Sequence, residues 1–370
     1  MNFITIKFLT KIIKQISNIS SFQQKLGWFL GILTNMKHSA FITYLSLAYP
    51  PISNYDFTFI REEKVVQEYL SRSQLYMISH RPKLVFDNVS IDSDENISFE
   101  IRQETTNYKI HGILPVRQTA FLANIYDENY VELGSYNKEY KFGNPPYNNL
   151  DGFKFYDKDE KFISWLTPER LIYDYYHDTI EVSGLDGWRE LFKYKIHYIG
   201  KSTDQDIWQR LTGHETLQDI ISKEFPLQFG SLPTHEITLL LFSINAAENF
   251  EIIGSFLNPQ KLGKSLGKTI TTTLFNLKAF PEDRDIFVDA EKVFVKLLDP
   301  DYNIIKFKSY PKSKDGLYKE KYDVFSYKLR DNIILVCNGV EILGSTEDNE
   351  SDTIQIIGNK EVKILKSRKR

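Results

Sequence analysis

The sequence predicts an α+β protein in which a β-rich, mixed first half precedes a smaller α/β module and a C-terminal β-meander. The 370 residues correspond to about two domains, at the usual size of roughly 100 to 200 residues each. The 42% apolar and 26% charged residues are typical of a globular chain. The 26 Phe and 22 Tyr favour strands and aromatic packing.

Charge and cysteine content narrow the classes of function. The 46 Lys and Arg against 49 Asp and Glu give a formal net charge of −3, so any attraction to nucleic acid has to be local. The one cysteine, Cys337, permits neither an internal disulfide nor a thiolate zinc cluster. A chain of this kind suits a reducing compartment, so we expect a cytoplasmic protein.

Residues 1–50 are predicted to form an amphipathic helical segment. Apolar residues recur every four positions with lysines between them: Ile4, Phe8, Ile12 and Ile16 against Lys7, Lys11 and Lys14. Such a helix can dock on the core or on a partner, and a membrane surface is the alternative. No uncharged apolar run reaches the roughly 18 residues of a membrane span, so we expect no transmembrane segment. Met36 offers an alternative start.

Residues 51–175 are predicted to form a β-rich domain, and no spacing within it matches a metal or catalytic motif. Short apolar runs alternate with turn residues in four places: Lys83–Val89, Ile97–Ile101, Tyr108–Val116 and Phe121–Leu133. Gly, Pro and Asn between residues 143 and 152 indicate a loop or boundary, after which residues 157–175 resume helical periodicity.

A strand, a polar turn and an amphipathic helix are predicted over Lys193–Ser222, which reads KYKIHYIGKSTDQDIWQRLTGHETLQDIIS. Arg210 and His214 are four positions apart, so on one helix they project from the same face and can address one phosphate. Thr203 or Asp204 can cap this helix, whose N-terminal amides favour an anion.

A later helix carries a broad apolar stripe between Ile286 and Leu298 and is ended by Pro300. Glu291 lies at the margin of the stripe, where a carboxylate can face a cleft. This helix is the second secondary-structure element of the predicted module that carries a candidate site residue.

These features occur in the order found in the GIY-YIG nuclease superfamily: Tyr198-Ile199-Gly200 ends a strand, Arg210 and His214 follow on a helix, and Glu291 and Asn303 come later. The chain resembles that superfamily over about residues 190–310, and the module is assigned to residues 176–310 with an insertion near 250–283. The resemblance implies a metal-dependent endonuclease that hydrolyses phosphodiester bonds in nucleic acid, with DNA the favoured partner.

The resemblance also implies roles for individual residues. Glu291 would hold Mg2+ or Mn2+ and Arg210 would stabilise charge on the phosphoryl oxygens, while Tyr198, Tyr194 or His214 would orient or deprotonate the attacking water. Gly200 and Asn303 would be structural. Four lysines are assigned to nucleic-acid contact: Lys201, Lys261, Lys264 and Lys268.

The first strand of the superfamily, which ends in Gly-Ile-Tyr with its tyrosine near the attacking water, has no match in the expected place. The corresponding strand is predicted at Asp178–Ser183, which reads DTIEVS and contains no tyrosine. Tyr176, Tyr194 or His197 can supply the missing hydroxyl or base, and strand alternation permits Tyr194 to share a face with Tyr198. The alternative is a catalytically inactive module that binds nucleic acid or serves as a scaffold.

Residues 311–370 are predicted to form a β-hairpin meander with a basic tail. Three apolar segments follow one another there: DVFSYKL, IILVC joined to VEIL through Asn338-Gly339, and TIQII joined to KEVKIL through Gly358-Asn359. Asn-Gly between apolar runs is a strong hairpin signal. The tail can contact phosphates or serve as a solubilising end.

Overall fold

The computed structural model describes residues 37–60, 63–106, 108–119, 130–134, 143–157, 159–224, 235–253, 281–307, 315–320, 322, 324–357 and 361–367. Within these ranges the chain is a mixed α+β structure in which strands predominate. The strands are β1 (Lys37–Leu47), β2 (Ile52–Ser53), β3 (Leu75–Pro82), β4 (Leu84–Ile91), β5 (Asn96–Gln103), β6 (Lys109–Pro115), β7 (Tyr130–Gly134), β8 (Gly152–Tyr156), β9 (Phe162–Leu166), β10 (Ser183–Gly184), β11 (Lys193–Lys201), β12 (His235–Ile253), β13 (Val324–Leu329), β14 (Ile334–Cys337), β15 (Val340–Leu343), β16 (Thr353–Ile357) and β17 (Glu361–Leu365).

The helices of the described ranges are shorter and fewer. The α-helices are α1 (Asn54–Ile60), α2 (Lys64–Leu70), α3 (Pro168–Tyr176), α4 (Ile207–Thr212), α5 (Glu215–Glu224) and α6 (Asp283–Leu298). Short 3-10 turns cover Val116–Gln118, Trp188–Phe192 and Gly316–Glu320. No helix of the described ranges has the length and apolarity needed to cross a membrane.

One large sheet organises the molecule. Its strands lie in the order β15-β14-β11-β3-β12-β1-β13-β16-β17, and β2 pairs with β12. Neighbouring strands are antiparallel except at β11–β14 and β1–β13, which are parallel. The central strands β11, β3 and β12 therefore form an antiparallel group, and strands from the beginning and end of the chain extend it on both sides.

Residues 83–192 form an insertion between the adjacent strands β3 and β11. This insertion contains two smaller sheets, ordered β10-β6-β5-β4 and β7-β8-β9, together with α3. Helix α3 starts at Pro168, and its N-cap Thr167 accepts a hydrogen bond from the Arg170 N–H. Chain segments far apart in sequence thus lie side by side in the main sheet.

The central strands bury alternate residues in two hydrophobic cores. The smaller core packs α1, α2, α4 and α5 against one face of the sheet: Phe57, Ile60, Val66, Leu70, Tyr76, Ile78, Ile207, Leu211, Leu217, Ile220, Leu239 and Leu241. The larger core lies on the other face, where Met77, Ile199 and Phe242 belong to the same cluster as the buried side of α6. The sheet is therefore covered by helices on both faces at its centre.

The main sheet crosses the predicted domain boundaries at residues 50, 175 and 310, because its strands come from all four predicted segments. Lys37–Leu47 is a strand, whereas residues 1–50 were expected to be helical. Residues 1–36, which carry the predicted amphipathic helix, lie outside the described residues. The helical pattern behind the prediction covers only Ile4 to Ile16, whereas Lys37–Leu47 pairs with both β12 and β13 as an interior strand of the main sheet.

Other predicted elements are confirmed within the described ranges. Strands β4, β5 and β6 coincide with three of the apolar runs, and of Phe121–Leu133 the structure describes only the end, within β7. Residues 157–175 divide into β9 and α3 instead of one helical stretch. The C-terminal hairpins form as predicted, and Asn338 and Gly339 both adopt positive φ in the β14–β15 turn.

A buried ion pair network ties the insertion to the main sheet. The Arg81 side chain is 1% exposed, and its guanidinium contacts Glu169 of α3 and, at 2.5 Å, Glu236 of β12. Arg81 also lies over the Tyr194 ring at 5.9 Å. Because a buried cation without its carboxylates is costly, this network fixes where α3 docks.

Replacing Arg81 with Met removes the cation and keeps much of the packed volume. We expect the free energy of unfolding to fall by about 3 to 5 kcal/mol, because the acidic groups of Glu169 and Glu236 then stay buried side by side without their partner. Burial raises the pKa of Glu236 to about 8 even with Arg81 present. Arg102→Met is the matched control, since its pair with Asp87 is 30% exposed at Arg102 and such pairs contribute less than about 1 kcal/mol. Urea denaturation followed by circular dichroism measures both variants, and equal losses would contradict this role of Arg81.

Candidate active site

Strand β3 is the antiparallel neighbour of the Tyr-Ile-Gly strand. Tyr76 of β3 is the direct partner of Gly200 in β11, and Ile78 is the partner of Tyr198. The prediction that Asp178–Ser183 forms this neighbouring strand is wrong, because Ser183 and Gly184 pair with β6 in a smaller sheet. The neighbouring strand does carry a tyrosine, and the insertion of residues 83–192 separates it in sequence from β11.

Gly200 allows the Tyr76 ring to lie against the backbone of β11. A Cβ atom on Gly200 would be 2.5 Å from Cζ and from the hydroxyl oxygen of Tyr76, and 2.7 Å from Cε1 of Tyr198. Real Cβ atoms do not approach other heavy atoms so closely, so only glycine fits here without displacement of both rings. The glycine that ends the motif is thus a steric requirement of this site.

The Tyr76 hydroxyl is the point on which the polar side chains converge. Its oxygen lies 2.7 Å from Nε2 of His214 and accepts a hydrogen bond from Nε of Arg210 at 3.2 Å. The Tyr198 ring packs beside them, 5.0 Å from the His214 ring and 6.0 Å from the Tyr76 ring between centroids. Two tyrosines, one arginine and one histidine therefore form a single cluster.

The hydrogen bonds of His214 determine its tautomer. Its Nδ1 accepts a hydrogen bond from the Leu217 N–H at 3.2 Å, so the proton of the neutral ring is on Nε2. That Nε2–H then donates to the Tyr76 oxygen, which also accepts from Arg210. The phenolic hydrogen of Tyr76 remains for the neighbouring Tyr198 hydroxyl, with which both Tyr76 and Arg210 interact.

Arg210 and His214 do not share the one helix that was predicted, because the chain forms two short helices here. Arg210 is in the last turn of α4, which ends at Thr212, and His214 immediately precedes α5 and caps it through Nδ1. Both side chains still reach Tyr76. Helix α4 is capped by Asp206, which accepts from the Trp208 N–H at 2.8 Å, and not by Thr203 or Asp204.

Burial sets the charge state of the cluster. Burial, and after it the positive charge of Arg210, together lower the pKa of His214 to about 4. Burial also raises the pKa of Tyr76, as does Tyr198, and Arg210 opposes that rise. At neutral pH the cluster therefore contains a neutral imidazole, a neutral phenol and one cation.

Glu291 lies at the same end of β11 but on its other face. Its carboxylate pairs with Nζ of Lys201 at 2.6 Å, and the Glu291 side chain is 14% exposed. Alternation along β11 places Lys201 opposite in direction to Gly200, toward α6. The Glu291–Lys201 pair and the tyrosine cluster therefore lie at the same end of β11 but on opposite faces of the strand.

Asn303 holds this end of β11 through its amide group. Its Oδ1 accepts from the Ile199 N–H at 2.9 Å and its Nδ2 donates to the Ile199 carbonyl at 2.8 Å. The side chain thus replaces a neighbouring strand beyond the short β11–β14 pairing, which covers Lys193 to Lys195. Its position agrees with a structural role.

The other predicted candidates lie elsewhere. Tyr194 is fully buried in the larger core, because the register shifts between Ile196 and Tyr198 and puts the two tyrosines on opposite faces. The Tyr176 hydroxyl donates to Asp331 at 3.3 Å, and His197 contacts His80. Lys261, Lys264 and Lys268 lie outside the described residues.

Sequence reasoning missed Tyr76. The available signal was the apolar run Leu75–Ile78 with a tyrosine in second place, which predicts a strand and nothing about its neighbour. Comparisons with protein-family models, with curated proteins and with solved structures find no match for the chain. The assignment of this cluster to a class of protein therefore rests on its residues and their geometry.

Acidification is expected to destabilise the protein through His214. Its pKa is about 4 in the folded state against 6.5 ordinarily, so between these values the unfolded state binds a proton that the folded state excludes. The stabilisation is complete above pH 6.5 and is lost as the pH falls toward 4. Between about pH 7 and about pH 4.5 the wild type should lose roughly 2 kcal/mol more than His214→Gln, as measured by urea denaturation.

The exposed histidine His111, on β6, supplies the control for that experiment. His111→Gln should lose as much stability as the wild type over the same range of pH. A His214→Gln variant that loses as much as the wild type would contradict the assignment of a neutral, buried His214.

Proposed function

We propose that this protein is a metal-dependent endonuclease of the GIY-YIG type that hydrolyses phosphodiester bonds in nucleic acid. The observation that carries the proposal is the meeting of Tyr76 and Tyr198, from adjacent antiparallel strands, with Arg210 and His214 at Gly200. The resemblance calls for a tyrosine on a first strand beside the Tyr-Ile-Gly strand. Gln74-Leu75-Tyr76 stands in the place of Gly-Ile-Tyr.

The later residues of the motif support the same proposal. Asn303 is hydrogen-bonded to the middle residue of Tyr-Ile-Gly, and Glu291 pairs with the residue that follows it. Residues separated by about a hundred positions in sequence thus meet at one end of one strand.

Arg210 and Tyr76 would handle the phosphate and the attacking water. Arg210 has N–H donors besides Nε with which to contact phosphate oxygens and stabilise the charge that develops on them. On substrate binding, the Tyr76 hydrogen would be donated to the water or to the phosphate instead of to the neighbouring Tyr198 hydroxyl. If Tyr76 instead acts as the base, it must first lose its own proton. The donors on Arg210 and His214 would stabilise that phenolate, which returns to the neutral phenol when it takes a proton from water.

Glu291 is the residue that would hold a divalent cation. Mg2+ usually binds proteins through one or two carboxylates and completes its shell with waters and substrate phosphates, which one partly buried glutamate at a strand end fits. The cation would supply Lewis-acid polarisation of the phosphate. Lys201, now paired with Glu291, would exchange its carboxylate partner for a substrate phosphate.

Cleavage assays with the purified full-length chain test this function. Supercoiled plasmid and labelled single-stranded DNA and RNA are incubated with Mg2+ or Mn2+. We expect metal-dependent cutting that falls by at least about 100-fold in Tyr76→Phe, Arg210→Ala and Glu291→Ala. Tyr69→Phe, on the exposed face of α2, and Glu68→Ala are the matched controls and should cut as the wild type does.

The second candidate is an inactive module that binds nucleic acid. The Lys201–Glu291 pair favours it, because that pair already satisfies the carboxylate. Absence of cutting on all substrates by folded protein, together with nucleic-acid binding that weakens in Arg210→Ala, would favour this candidate. Cutting that persists in Tyr76→Phe and Glu291→Ala would remove the proposed site.

A further inference from the structure

A second polar cluster lies on the central strands, away from Tyr76. It consists of His80 on β3, His197 on β11 and Glu224, the last residue of α5. One nitrogen of each histidine and one carboxylate oxygen all lie within 4.8 Å of one another. No other set of three metal-ligating side chains in the described part of the chain meets this condition.

The β-bulge in β11 creates the cluster. The register shift between Ile196 and Tyr198 leaves His197 as the extra residue, and a bulge re-aims the side chain that it carries. The His197 ring lies 4.6 Å from the His80 ring, and His197 Nε2 is 2.6 Å from His80 Nδ1. His197 is 1% exposed, whereas His80 and Glu224 are half-buried, so the cluster lies at the edge of the interior, where an ion can enter.

From this geometry we propose that His80, His197 and Glu224 bind one divalent transition-metal ion of the zinc class. Imidazole nitrogens and a carboxylate oxygen are ligands that Zn2+ prefers, and two histidines with one glutamate are a known zinc-binding combination. Imidazole is a poor ligand for Mg2+, so the site should discriminate strongly between the two cations.

Residues around the cluster are placed to support the ligands. Tyr302 donates its hydroxyl hydrogen to Glu224 Oε1 at 2.8 Å, and the Tyr302 N–H donates to the His197 carbonyl at 3.2 Å. Outer contacts of this kind orient ligands and are typical of metal sites. The His235 ring lies 5.4 Å from that of His80, which makes His235 a candidate for the fourth ligand.

Binding requires a small local rearrangement. The two ligating nitrogens are 2.6 Å apart as a hydrogen-bonded pair, whereas tetrahedral zinc with bonds of about 2.0 to 2.1 Å needs them about 3.3 Å apart. The imidazole that donates in this pair must also move its proton to the other ring nitrogen, so that both histidines present a lone pair. No net proton is released, and the rings separate by less than an ångström.

The metal would join three elements of the fold. His80 and His197 belong to neighbouring strands, and Glu224 belongs to the helix that follows His214. An ion at this point therefore fixes α5 on the sheet face that also carries Tyr76. The site is separate from Glu291, so its loading is independent of the cation required by the proposed nuclease reaction.

Metal titration of the full-length chain without a polyhistidine tag tests the proposal. Protein stripped with a chelator is titrated with ZnCl2 by calorimetry, and Co2+ is added in parallel because its d–d absorption reports low-symmetry nitrogen and oxygen ligands. We expect one Zn2+ per chain, a higher melting temperature with Zn2+ and no such increase with Mg2+.

Variants decide which residues hold the ion. Glu224→Gln keeps the shape of the side chain and should weaken Zn2+ binding at least about tenfold, and His80→Asn combined with Glu224→Gln should abolish it. His111→Asn is the matched control, since His111 is an exposed histidine whose Nδ1 lies 3.5 Å from a Glu100 carboxylate oxygen. Circular dichroism of the metal-free variants checks folding.

Four results would overturn the proposal. The first three are no Zn2+ binding by the wild type, unchanged binding in folded Glu224→Gln and the double variant, and equal stabilisation by Mg2+. The fourth is loss of binding in His111→Asn, which would assign the ion to the surface. None of these results depends on nuclease activity, so this proposal and the proposed function fail separately.

Discussion

The close approach of Tyr76 to Gly200 is the constraint on which the candidate site depends. Direct cross-strand partners in an antiparallel pair project to the same face, so a side chain at position 200 would occupy the space of the Tyr76 ring. With no side chain there, the ring lies across β11 and its hydroxyl reaches Arg210 and His214. The identity of one residue thus determines whether the polar cluster assembles.

The bulge between Ile196 and Tyr198 is the second determinant. It reverses the alternation, so Tyr194 enters the larger core while Tyr198 joins the tyrosine cluster on the opposite face. The same bulge directs His197 toward His80. One irregularity in β11 therefore separates Tyr194, which lies in the larger core, from His197 and Tyr198, which belong to the two polar clusters.

Local features of the sequence predict much of this fold. Helix α6 follows from its apolar stripe and Pro300, β11 from its alternation, and the β14–β15 hairpin from Asn338-Gly339. Arg210 and His214 were predicted as a pair from their spacing, although Arg210 lies on α4 and His214 lies between Gly213 and the start of α5. Each of these signals acts within a few residues.

Signals of this kind do not identify the strand that pairs with β11. Residues 83–192 separate β3 from β11, and an apolar run does not specify which strand it pairs with, because register is determined by contacts distant in sequence. The bulge in β11 was also not predicted, since an alternating pattern of apolar and polar residues assumes a regular strand. Tyr76 and the His80–His197–Glu224 cluster were missed for these two reasons, and the predicted substitute Tyr194 was misplaced by the second.

A double-mutant cycle between positions 200 and 76 measures whether the Tyr76 ring requires a glycine at position 200. Gly200→Ala should lower the free energy of unfolding by about 1 to 3 kcal/mol through the clash with the Tyr76 ring, and Gly143→Ala, which has open space around it, should not. In a Tyr76→Leu background most of the cost of Gly200→Ala should disappear. An equal cost in both backgrounds would contradict this dependence of the Tyr76 ring on Gly200.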